Sequence, residues 1–122
     1  MGFLPTWEED GLVMCQSNAI LRMLGMRLGY YTDEFEEDEN EAAQQAFDID
    51  SLCDFMEDII LVQSKYILPA FSGDEVDEDP REYLKDFWDK QIIVVNNRLV
   101  NHGQPFVGGT QNPTIADFKL FA

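Results

Sequence analysis

LPTWEEDGLVMCQSNAILR, residues 4–22, changes its hydropathy period within a few residues. Two short apolar stretches flank Asp10-Gly11, a dipeptide suited to the positive backbone angles of a tight hairpin turn. Residues 3–15 therefore read as strand, turn, strand. Directly afterwards Gln16-Ser17-Asn18 leads into Ala19, Ile20, Leu21, Met23, Leu24 and Leu28, whose spacing gives one apolar helical face. Ser17 is the expected start of that helix, because its hydroxyl can accept from backbone N–H groups that a first turn leaves free.

Residues 29–40, GYYTDEFEEDEN, are too acidic and irregular to bury themselves, and they read as an exposed linker with a unit boundary inside it. From Glu41 to about Tyr66 a long helical pattern follows, carried by Ile49, Leu52, Phe55, Met56, Ile59, Ile60 and Leu61, and Pro69 is expected to end or kink it. Residues 72–79, SGDEVDED, form a second acidic loop, after which Pro80 suits the first position of another helix. The stripe of that helix is Leu84, Trp88, Ile92, Val95 and Leu99, with Gly103 as its stop. Finally, Thr114-Ile115-Ala116-Asp117 has the spacing of a capping box, in which the first and fourth residues satisfy each other, and opens a short apolar helix that cannot complete its packing alone.

The 122 residues, 45% hydrophobic, suffice for one modest core. With 24 acidic against 8 basic residues the formal charge is -16, which repels phosphate backbones and anionic membrane surfaces and argues against a nucleic-acid or membrane partner. Cys15 and Cys53 form no CxxC pair and sit among apolar neighbours, as small buried side chains in a reducing cytosol do. No run is long enough to span a bilayer, and residues 1–10 lack the layout of a signal peptide. Asn112-Pro113-Thr114 is disqualified as a glycosylation acceptor by its proline. The Asp48 to Glu57 stretch lacks the Gly of a calcium loop, Gly108-Gly109-Thr110 is no P-loop, and one His argues against a triad, so no metal site is expected.

Leu4-Pro5, Asp10-Gly11 and Gln16-Ser17-Asn18-Ala19-Ile20-Leu21-Arg22 resemble, in that order, the second half of the thioredoxin-like domain of glutathione transferases. The segments Leu24 to Tyr31, Asp54 to Asp58 and Lys65-Tyr66-Ile67 look most like the pi class. Pro113 to Phe118 is similar to the cap and staple motif of that family's helical domain. The resemblance implies an α/β plus all-α fold: residues 1–29 as the C-terminal half of a thioredoxin-like domain, 30–40 as linker, and 41–122 as a truncated all-helical domain.

It also implies a site. Leu4 would precede a cis proline, Pro5, and pair its backbone with the cysteinyl part of glutathione. On the residues alone, a trans proline opening a strand fits equally well. Gln16 and Ser17 would hold the γ-glutamyl end, Ser17 at a helix N-terminus that favours a carboxylate. Asp54 would attract the ligand's ammonium, reaching in the pi class from one subunit to the other. Tyr66 and Phe71 would line the electrophile pocket, Phe71 where the pi class has a tyrosine, while Thr114 and Asp117 would be a structural cap. Tyr30 and Tyr31 match the interdomain linker, and Phe3 stands where the pi class has a Gln contact. The family's thiol-activating Tyr, Ser or Cys lies on an opening strand-helix-strand that the resemblance does not cover, so no catalytic residue is expected and the chain reads as a fragment. The implied protein is cytoplasmic and homodimeric. It takes glutathione as substrate with a small hydrophobic electrophile and needs no cofactor. The alternative is a non-catalytic relative kept for dimerisation or protein docking.

Overall fold

The computed structural model describes residues 4–32, 38–73 and 80–121. Its elements are β1 (Thr6–Glu9), β2 (Leu12–Cys15), α1 (Ser17–Leu28), α2 (Glu39–Ser72), α3 (Pro80–His102) and α4 (Ile115–Phe121). The two strands pair antiparallel with Thr6 opposite Cys15 and Glu9 opposite Leu12. Asp10 and Gly11 both take positive φ, 51° and 78°, which matches the twist of the flanking strands. A hairpin followed by helices is compatible with the expected partial α/β unit leading into a helical one.

Helix α1 begins where the sequence places it, but the cap differs. Gln16 (φ 82°, ψ 106°) is the N-cap, no side chain caps the helix, and Ser17 is already its first helical residue. A capping side chain acts from a residue outside the helix in the β region, and Ser17 lies one position too late for that. Gly29, at φ 74°, ends the helix, and the Tyr30 N–H closes onto the Gly25 carbonyl at 2.8 Å.

Helix α2 starts two residues before Glu41, because the Asp38 carboxylate accepts from the Asn40 N–H at 2.8 Å and caps the turn. It also runs through Pro69 to Ser72, past the expected stop. Proline costs one backbone bond to the residue four before it; so close to the helix end that loss is small, and Gly73, in the left-handed region, donates to the Pro69 carbonyl to finish the helix. Helix α3 runs from Pro80 to His102, with the Gly103 N–H on the Leu99 carbonyl at 3.3 Å.

The core lies where α4 meets α2. Ile49, Leu52 and Cys53 of α2 pack with Ile115 and Ala116 of α4, and Val95 and Val107 close the cluster. The first turn of α4 is thus among the best-buried stretches despite the helix's short length. Tyr31, expected in an exposed linker, is 8% exposed and belongs to this core. Its hydroxyl donates to Asp50 Oδ2 at 2.9 Å, while Arg22 Nε donates to Asp50 Oδ1 at 2.8 Å, so one carboxylate of α2 gathers α1 and the segment after it. Helix α3 is held to α2 by Arg98, which donates to Ser51 Oγ at 2.9 Å and to the Asp48 carbonyl at 3.2 Å. Of its expected stripe, Val95 and Leu99 reach the core, but Ile92 is 60% exposed. Among the described residues no helix is long and apolar enough to cross a membrane, and no cluster of three or more His, Cys, Asp or Glu could hold a metal ion.

Candidate functional site

A cavity of about 670 Å³ opens between the start of the hairpin and the helices. Pro5, Ser17 and Asn18 form one side, Met56, Ile59, Ile60 and Gln63 of α2 another, and Trp88, Phe118 and Leu120 complete an apolar lining. Its size lies in the range of small-molecule sites, which combine such linings with a few placed polar groups.

Asn18, Glu57 and Lys119 of the lining are joined by hydrogen bonds to one another and to Asp54 beside it. Asn18 Nδ2 donates to Asp54 Oδ1 at 2.8 Å. Lys119 Nζ donates to Asn18 Oδ1 and, at 2.6 Å, to Glu57 Oε2. The Lys119 side chain is 10% exposed, so this ammonium is held inside the fold. Ser17, the first residue of α1, lines the cavity as well, and an α-helix leaves its first four donors without intrahelical partners and carries partial positive charge there.

Of the residues expected from sequence, Pro5 and Ser17 line this cavity. The Leu4–Pro5 peptide is cis, and Leu4 is 90% exposed. Gln16 is exposed in the step from β2 to α1, with a positive φ that a non-glycine residue holds only where its surroundings enforce it. Asp54 is exposed on α2, joined to α1 through Asn18. Tyr66 and Phe71 fall on the last turns of α2, and their side chains lie outside what the structure describes, as does Phe3.

Thr114 and Asp117 are buried and do not line this cavity. Asp117 Oδ2 accepts from the Thr114 N–H at 2.8 Å, the return half of a capping box, but Thr114 Oγ1 donates to the same oxygen at 3.0 Å instead of accepting from the helix. A buried carboxylate needs donors, and it takes the hydroxyl as one; its other oxygen accepts from the Val107 N–H at 3.1 Å.

Asn18, Glu57 and Lys119 were not among the expected residues. Asn18 directly follows Ser17, and Lys119 is the lone cation in the otherwise apolar and acidic run IADFKLF, which is the signal that marks it. Cys53, buried on α2, has its thiol pushed up to about 11 chiefly by burial, so it is protonated at neutral pH and no nucleophile. The arrangement offers a helix N-terminus for a carboxylate, an exposed carboxylate for a cation, and an apolar space beside them.

No family model matches the chain, and no solved structure gives a significant match. The chain is 32% identical to glutathione S-transferase P of Bos taurus and 31% identical to that of Capra hircus, in each case over 124 aligned residues and 98% of its length. It spans about half the length of these curated relatives, 50% of each. Similarity sustained over nearly every residue of the chain supports a relationship to the glutathione S-transferases.

Proposed function

We propose that the chain carries the γ-glutamyl part of a glutathione transferase site, in a protein that joins the glutathione thiol to hydrophobic electrophiles. One observation carries the reading: Ser17, at the N-terminus of α1, shares a cavity wall with an amide that holds the Asp54 carboxylate. The ligand's α-carboxylate then meets the Ser17 N–H and hydroxyl and the Gln16 amide, and Asp54 meets the ammonium of the ligand held by the other subunit of the homodimer. Leu4 pairs its backbone with the cysteinyl unit. The apolar cavity takes the electrophile, and the family pattern assigns Tyr66 and Phe71 to the electrophile pocket. The pi class, a homodimer in the cytoplasm and a unit boundary within residues 30–40 complete the proposal.

These contacts grip glutathione away from its sulfur. Binding the ground and transition states equally does not lower the chemical barrier, and rate requires a donor aimed at the developing thiolate. The 122-residue chain is therefore expected to bind glutathione without conjugating it to an aromatic electrophile. The test is a titration of the isotopically labelled chain with millimolar glutathione, followed by amide resonances. Shifts centred on Ser17 and Asn18, weakened in Ser17→Ala, are the expected result. Saturating glutathione that leaves the Ser17 amide unmoved would refute the reading.

A further inference from the structure

We infer that Lys119 is a positioning residue for glutathione binding: its ammonium fixes the Asn18 amide, which in turn holds the Asp54 carboxylate ready for the ammonium of the ligand across the homodimer. The inference rests on the glutathione reading above and deepens it.

The argument begins with donors and acceptors. An Asn side chain has one acceptor end and one donor end, whereas a lysine ammonium has three donors and no acceptor. Lys119 can meet only Asn18 Oδ1, and that contact turns Nδ2 towards α2, where it donates to Asp54 Oδ1 at 2.8 Å. Glu57 holds the same ammonium at 2.6 Å from the other side, and the Lys119 side chain is 10% exposed, so it has little freedom to turn elsewhere. The Asn18 bond engages Asp54 Oδ1, which leaves Oδ2 to receive a cation. Charge follows the same logic. A lysine directly on Asp54 would cancel the attraction for a ligand ammonium, but here a neutral amide stands between them and Glu57 neutralises the lysine.

The relay joins α4, α1 and α2 through residues far apart in sequence, so a purely structural ion pair is the competing account. The test separates them by ligand. Binding of glutathione, and of the glutathione analogue lacking only the α-amino group, is measured by calorimetry for the wild-type chain, Lys119→Met, Lys119→Arg, Asn18→Ala and the Lys119→Met/Asn18→Ala double variant. Lys119→Met is expected to weaken glutathione about three- to tenfold, the worth of one hydrogen bond, and to leave the deaminated analogue unchanged. Lys119→Arg restores most of the loss, and the double variant binds no more weakly than Asn18→Ala. Equal losses for both ligands, or unchanged glutathione binding in Lys119→Met, would overturn the inference alone. A wild-type chain that binds neither ligand removes the glutathione reading and this inference with it. Thermal melts accompany each variant; if Lys119→Met does not fold, Asn18→Ala must show the same amine-selective loss, and a loss common to both ligands there refutes the relay.

Discussion

Cys53 is 1% exposed, and burial moves its thiol from the ordinary 9.0 to about 11, with the nearby Lys119 charge opposing the rise. The folded state therefore keeps a proton that the unfolded chain releases. That stabilisation is fully present below about pH 9 and is lost as pH climbs through about 11, a difference of roughly 3 kcal/mol. Tyr31 adds to it with the same sign, since burial and the bond it donates to Asp50 raise its phenol above the usual value. Urea midpoints at pH 8 and pH 11 should accordingly fall further for the wild type than for Cys53→Ala, whose own loss at pH 8 is that of a small cavity. An equally steep fall in the variant would show that the thiol titrates in the fold as it does in the unfolded chain, with no rise from burial.

At the scale of elements, the crossing of α1 and α4 depends on one missing methyl group. A Cβ on Gly25 would lie 2.6 Å from Ile115 Cγ2 and 3.3 Å from the Tyr30 carbonyl oxygen. Gly25→Ala should cost about 1–3 kcal/mol by overpacking, and the penalty should largely vanish in an Ile115→Ala background, a coupling that denaturant titration of the cycle measures. The elements themselves could be read from local chemistry: Asp10-Gly11 for the hairpin, Gly103 for a helix end, and Pro80 for a helix start. What local reasoning missed depended on distant partners. Tyr31 looked like linker because Asp50 and the core that bury it lie elsewhere in the chain. Ile92 fitted the stripe of α3 by spacing, but too little of the fold covers that face. In the site, Ser17 and Asp54 could be named from a family pattern, whereas the Asn18–Lys119 contact between them spans 101 positions and leaves no mark in either neighbourhood.

For the whole molecule the charge imbalance decides the response to salt. Against a net charge of -16 stand four Lys or Arg ion pairs among the described residues, and exposed pairs are worth about 0–1 kcal/mol each. Repulsion between unpaired carboxylates thus outweighs the attractions that salt also screens. Raising sodium chloride from about 0.01 M to 1 M shortens the screening length from about 30 to 3 Å, so the melting temperature should rise by about 4 °C or more, on the order of 1 kcal/mol; a fall would mean that the ion pairs govern. The Ile115 N–H on the Tyr30 carbonyl, at 2.8 Å, has a consequence in time. Chains leave the ribosome from the N-terminus at roughly 5–20 residues per second, and α1 can close its final contacts only after residue 115 has emerged. The hairpin and first helix must wait as a nascent, unsealed piece while the long helices are made, exposed to chaperones and proteases until the first turn of α4 arrives to lock them.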